Sequence, residues 1–187
     1  MHVGHLVAAV NVRHELGLDR VLLVVANQPW QKLGTRPMSD ALDRLALVEA
    51  AVKGYPGLEA SSIEIDRGGV SYTADTVAEL SSSEPEASLF LIIGADVAAA
   101  LGTWRRLEEV RRAVTLVVVN RPGNRLRHGG PGGPLAGFKV ESVEIPALEI
   151  SSTDLRDRAA TGRPLDFLVP EEAIRVIRER NLYGGAR

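Results

Sequence analysis

The residue order predicts an α/β fold built on a doubly wound parallel sheet. Val21 to Ala26 is a short, continuously apolar run, and Leu89 to Ile93 and Val114 to Val119, the last broken only by Thr115, read as buried strands of the same kind. Such runs suit parallel strands covered on both faces. Segments with helical spacing follow and separate them, and strands alternating with helices at this interval build parallel crossover units. A length of 187 residues suits one domain, 1–187, whose last part, 151–187, reads as helical.

Residues 6–16 have helical spacing, with Leu6, Val10 and Leu16 facing inward and Gly17 as a C-cap. After the first apolar run comes the loop Asn27-Gln28-Pro29-Trp30-Gln31-Lys32. In an open parallel sheet, ligands bind at that strand edge. Ser39 or Asp40 caps a helix through about Val52, ended by Lys53 and Gly54. Leu58 to Ile65 alternates as a strand. Arg67 to Thr73 is a turn feeding a helix through Leu80, with Thr73 as N-cap, and Ser81 to Pro85 is a polar linker.

The second apolar run opens into Gly94-Ala95-Asp96 and a short helix, and the third ends at Asn120-Arg121-Pro122-Gly123. Between Arg121 and Gly137, 9 of 17 positions are Gly or Pro, which reads as a surface loop. Lys139 to Ile145 alternates as a strand. Ser152 to Ala160 and Pro170 to Arg180 are the closing helices, the latter with Pro in its first turn.

A formal charge of −2 offers no general basic surface and disfavours bulk nucleic-acid binding, so any phosphate recognition must be local. The absence of cysteine excludes disulfides, thiolate metal sites and a cysteine nucleophile. With four histidines, two of them (His14 and His128) in ordinary settings, a histidine-rich zinc site is disfavoured and no protein metal site is expected. No apolar run approaches membrane-spanning length and no secretory leader is visible, so the chain reads as cytoplasmic.

The stretch that organises the chemistry is Met1-His2-Val3-Gly4-His5. Two imidazoles three apart share one face of a first helical turn, and Gly4 between them lets a ligand approach the backbone. Free N–H groups at a helix start attract anions, and imidazoles can donate to oxygens on which charge develops during phosphoryl transfer. Lys32, Asp96 and Arg121 lie at the ends of the three apolar runs. Taken singly they are a loop lysine, a helix cap and a surface charge; their shared edge makes them candidates for a site. In Ile150-Ser151-Ser152-Thr153-Asp154-Leu155-Arg156, hydroxyls meet a helix start and Arg156, one turn on, can fork onto the same anion. Trp104 is either core packing or a flat surface for a planar ring.

These segments occur together and in order with Gly69-Val70-Ser71-Tyr72-Thr73-Ala74-Asp75-Thr76, and in combination the chain resembles bacterial nicotinate-nucleotide adenylyltransferase of the nucleotidylyltransferase superfamily. The resemblance runs from His2 to the last helix. It implies that the 5′-phosphate of nicotinate mononucleotide attacks the α-phosphorus of ATP, giving the deamido precursor of NAD and pyrophosphate, without a covalent enzyme intermediate. Catalysis then rests on positioning and charge neutralisation. Mg²⁺ is implied as a bridge between ATP phosphates, held mainly by substrate oxygens and water.

The resemblance gives His2 and His5 to the ATP phosphates and the transition state, Lys32 to the reacting phosphates, and Ser151, Ser152, Thr153 and Arg156 to the β- and γ-phosphates. Gly4, Gly94 and Asp96 fall on the ATP side, the last two at the ribose. Trp104 is implied to stack on the pyridine ring. Thr73, with backbone groups near Tyr72 and Arg105, is implied to meet the nicotinate carboxylate, favouring acid over amide. Self-association is left open.

One departure stands out. The family's first motif has a Gly-rich strand end and Phe-Asp-Pro before the first histidine, and here Met1 stands where that motif is half finished. The expectation is therefore a sheet lacking its first strand, in a chain whose natural product starts upstream. Two other functions stay in view. Pantetheine-phosphate adenylyltransferase shares the histidine pair and a Ser-Ser segment, but a pantetheine chain gives Trp104 no ring to stack on. The other is a non-catalytic adenine-nucleotide-binding relative, which the shortened site would suit.

Overall fold

The computed structural model describes residues 1–30, 38–120, 133 and 135–184. Its helices are α1 (Val3–Glu15), α2 (Ala41–Val52), α3 (Ile63–Arg67), α4 (Thr73–Ser83), α5 (Ala95–Ala99), α6 (Leu107–Ala113), α7 (Ser152–Ala160) and α8 (Glu171–Glu179). Its strands are β1 (Val21–Val24), β2 (Gln28–Pro29), β3 (Leu58–Ser61), β4 (Val70–Ser71), β5 (Leu89–Gly94), β6 (Val114–Asn120) and β7 (Lys139–Glu144).

Every strand pair is parallel, as the apolar runs predicted: β1 with β3, β2 with β4, and β5-β6-β7 in that order. Alternation along β6 makes it the centre of its sheet. Leu116 and Val118 pack with Ala98 and Leu101 on one face, while Val117 packs with Val12 of α1 on the other. Helices on both faces are what doubly wound means, and all three β6 residues are fully buried. No ladder joins β1 to β5 among the described residues. Leu22 to Val24 and Leu89 to Ile92 are only partly buried despite being apolar throughout. Among the described residues β1–β3 and β5–β7 are thus separate ladders, and α1 packs across the division, with Leu6 and Ala9 against the β1–β3 side and Val12 against the β6–β7 side.

Several boundaries shift for physical reasons. Val10 is exposed, because α1 presents the stripe Leu6, Ala9 and Val12 to the two sheets. Gly17 does end the helix, at φ +61°, with the Leu18 N–H donating to the Arg13 carbonyl. The strand expected over Leu58 to Ile65 stops at Ser61, where its partner β1 stops. The Ser62 carbonyl then accepts from the Ile65 and Asp66 N–H groups and starts α3. Thr73 is the first residue of α4 rather than its cap; Tyr72 takes the extended cap position with no side-chain bond. The expected linker from Ser81 is helical to Ser83. Asp40, not Ser39, caps α2, accepting from the Leu42 N–H at 2.8 Å. Most of the Gly/Pro-rich loop after Asn120 lies outside the described residues.

The closing helices share a core with α2: Leu47 and Ala51 pack with Leu155, Leu165, Val169, Ala173 and Ile174. This packing brings the start of α7 back to the start of α1.

Candidate active site

At the start of α1, His2 sits in extended cap geometry, the His5 N–H donates to the His2 carbonyl at 3.0 Å, and the Val3 N–H is satisfied by Leu168 of the loop between α7 and α8. The two imidazole centroids lie 3.9 Å apart at an interplanar angle of 39°. His2 is buried and His5 exposed. Gly4 also has a use within the turn itself. A Cβ there would stand 3.1 Å from His2 Nδ1 and 3.2 Å from its Cε1, so the missing side chain makes room for the His2 ring.

At the start of α7, the Ser151 hydroxyl accepts from the Asp154 N–H at 3.1 Å, a side-chain cap. Arg156 donates to the Thr153 hydroxyl at 3.1 Å. Among the described residues no carboxylate pairs with Arg156. Asp154 instead takes Arg158 at 2.6 Å and Arg163 at 3.6 Å, and the Arg158 hydrogen bond holds its carboxyl below the ordinary value. One cleft of about 390 Å³, counted with its open mouth, is lined by Met1, His2, Ser152 and Arg156 over an apolar floor that includes Leu47 and Leu155. Burial, then the charge of Arg156, pushes the Met1 amino group below its ordinary value. Arg156 brings a positive charge to this cleft.

The strand-end candidates divide. Lys32 and Arg121 lie outside the described residues. Asp96, exposed in the first turn of α5, folds back over Gly94: a Cβ on Gly94 would meet Asp96 Oδ1 at 2.6 Å. Gly94 therefore makes room for this carboxylate as well as for any ligand.

Tyr72, just before α4, meets Arg105, just before α6. The Arg105 guanidinium lies 5.3 Å over the Tyr72 ring. Trp104 is partly buried against the cluster of Ile93, Leu101 and Leu116, and its indole N–H is buried without a hydrogen-bond partner among the described residues. The tryptophan thus packs against the core and keeps a minor part of its surface accessible.

Three supporting residues were not singled out from the sequence. Asn27, after β1, donates its backbone N–H to the buried Ser71 hydroxyl at 2.8 Å and its side-chain amide to the Gly69 carbonyl at 2.9 Å. Arg44 of α2 donates to the carbonyls of Ala26, Asn27 and Ser39, and burial pushes its pKa down. Arg106 pairs with Asp75 at 2.9 Å. The signal for Asn27 was its place just past a strand end; Arg44 and Arg106 belong to no motif, and their partners Ala26 and Asp75 lie far from them in sequence.

The neutral donors His2 and Ser152 with the cation Arg156 around one cleft suit an anion. Among the described residues no group of three or more His, Asp or Glu side chains is arranged to hold a metal ion, and no helix is long and apolar enough to cross a membrane.

Fold and site together define a nucleotide-handling transferase of the parallel α/β kind, and the family model described as Cytidylyltransferase-like matches residues 1–158. Relatives named "Probable nicotinate-nucleotide adenylyltransferase" include that of Streptomyces coelicolor, 45% identical over 185 residues, covering 99% of this chain and 96% of the relative. That of Corynebacterium kroppenstedtii is 44% identical over 183 residues, covering 98% and 85%. The chain belongs to the nicotinate-nucleotide adenylyltransferase family. Its fold matches that of the Plasmodium falciparum nicotinic acid mononucleotide adenylyltransferase complexed with NaAD, with a TM-score of 0.76, 14% identity and coverage of 98% of this chain and 91% of that one.

Proposed function

We propose that this chain transfers the adenylyl group of ATP to nicotinate mononucleotide, forming nicotinate adenine dinucleotide and pyrophosphate on the way to NAD. The observation that carries the reading is the shared cleft of His2, Ser152 and Arg156, which lie at opposite ends of the sequence. A phosphate oxygen of the mononucleotide attacks the α-phosphorus; the bond from that phosphorus to the β-phosphate oxygen breaks, and pyrophosphate leaves with the electron pair. Charge spreads onto the α-phosphate oxygens, where His2 and His5 N–H groups donate. Arg156 and the hydroxyls of Ser151, Ser152 and Thr153 hold the leaving diphosphate, with Lys32 beside the reacting phosphates. Such fixed donors act without reorganising during the step.

Asp96 accepts from the ATP ribose hydroxyls, next to Gly94. Trp104 stacks on the pyridine ring, and Thr73 with the Tyr72 and Arg105 backbone takes the nicotinate carboxylate. Mg²⁺ belongs to the same proposal. The hydroxyls, imidazoles and guanidinium at the cleft suit phosphate oxygens, so the ion would come with ATP and would supply charge neutralisation on its phosphates. The core shared by α2, α7 and α8 supports one domain over 1–187.

The test is pyrophosphate release from Mg-ATP with three acceptors offered separately: nicotinate mononucleotide, nicotinamide mononucleotide and phosphopantetheine. Turnover with the first is expected. Turnover with phosphopantetheine alone would reassign the acceptor, and tight ATP binding without release would make the chain a binding protein.

A further inference from the structure

We infer that the Asp75–Arg106 pair is a positioning device for the acceptor side, an inference that rests on the acceptor reading given above. Two chain segments build that side, Tyr72 to Asp75 at the start of α4 and Trp104 to Arg106 before α6. Apolar contact of Ala74 and Val77 with Val110 holds the two helices together. It does not fix the peptide that carries Trp104 and Arg105.

That peptide turns at Arg106, which takes the left-handed conformation, φ +54° and ψ +38°. A non-glycine residue persists there only where its surroundings hold it. The hold is visible. Arg106 Nη2 meets Asp75 Oδ1 at 2.9 Å and its Nε meets Glu109 Oε1 at 3.3 Å, so one guanidinium is gripped by carboxylates of two helices. The turn sends Arg105 back over the Tyr72 ring, 5.3 Å away. Asp75 is in turn placed by its own N–H, which donates to the Tyr72 carbonyl at 3.0 Å. One pair therefore sets the spacing between the Tyr72–Thr73 edge and the Trp104–Arg105 edge. It also cancels the charge of Arg106, and among the described residues no carboxylate pairs with Arg105.

Both partners are partly exposed, and an exposed ion pair contributes little to stability. The pair should show itself in acceptor affinity and hardly in thermal stability. The experiment compares Asp75→Asn, Asp75→Glu, Arg106→Gly and the double variant Asp75→Asn/Arg106→Gly; glycine keeps the left-handed turn without the guanidinium. Pyrophosphate release would give KM for nicotinate mononucleotide and for ATP, and thermal melting would follow folding. Each loss variant should raise the acceptor KM about 10-fold and leave the ATP KM within about 2-fold, and the double variant should be no worse than either single, as for residues acting as a unit. Asp75→Glu should keep most of the wild-type affinity.

Losses that multiply in the double variant, or that fall equally on both substrates, overturn the inference while leaving the acceptor reading intact. A wild-type protein that does not turn over nicotinate mononucleotide removes both. If Asp75→Asn melts early, Arg106→Gly and Asp75→Glu still decide between the outcomes.

Discussion

At the triphosphate end, Arg156 reaches only the neutral Thr153 hydroxyl among the described residues, and Ser152 and His2 line the same cleft with it. At the acceptor end, Arg106 is taken up by Asp75 and Glu109, and Arg105 lies over Tyr72. One end keeps its positive charge turned toward a cleft, and the other spends most of it on internal contacts. A charge satisfied inside the protein fixes geometry; a charge facing a cleft is there for an incoming anion. The first end should therefore answer to mutation mainly in rate, the second mainly in acceptor affinity.

The largest break of that contrast is expected at His5. It is exposed, so its loss should hardly disturb folding, yet its ring lies against that of His2. His5→Ala should lower kcat by about 100- to 1,000-fold, the usual cost of removing one preorganised donor to developing charge, with little change in the acceptor KM. Steady-state pyrophosphate release decides this, and an intact kcat would take the imidazoles out of the chemistry.

At the other end, Trp104→Ala should raise the acceptor KM about 10-fold, the order expected for an aromatic pair together with its buried area, and leave ATP affinity nearly unchanged. Because the indole also packs on Ile93 and Leu101, the melting temperature should fall too. Trp104→Phe separates the two effects by restoring a ring to both. Equal losses for ATP and acceptor would remove the stacking role.

How much of this was legible in the sequence follows from the range of each interaction. β6 was readable because Val114 to Val119 is apolar on both faces and is covered on both. The α7 cap was readable because the accepting Ser151 hydroxyl and the donating Asp154 N–H lie three residues apart. α3 was misread: Ile63 and Ile65 fit a strand's alternation, and only the end of β1 stops the ladder. Val10 was placed inward because a single helix was imagined against a single surface, whereas α1 bridges two sheets and turns Val12 to the second. Asp75 stood in a recognised segment without a role, since its partner Arg106 is met only after β5 and α5 have brought it round. Arg44 was silent for the same reason; its three carbonyl partners are backbone, which carries no sequence signal.

Smaller effects sharpen the comparison from the side of α7, whose start lines the cleft proposed for the triphosphate. Ser151→Ala removes the cap from the Asp154 N–H and should cost about 1 kcal/mol of stability, read by denaturant unfolding, with a further loss in ATP affinity if the hydroxyl also meets phosphate. Asp154 gives the smallest change, and its sign can be fixed beforehand. The Arg158 hydrogen bond holds its folded-state pKa below the ordinary value. A carboxyl depressed in this way adds stability that is present above its unfolded pKa, about 3.9, and is lost as pH falls through the folded value. Asp154→Asn should thus melt slightly below wild type at pH 7, and the two curves should converge below about pH 4. The residue is solvent-exposed, so the gap is small and should shrink further in high salt. A gap that persists unchanged into acid would mean that Asp154 acts on the helix through shape rather than through its charge.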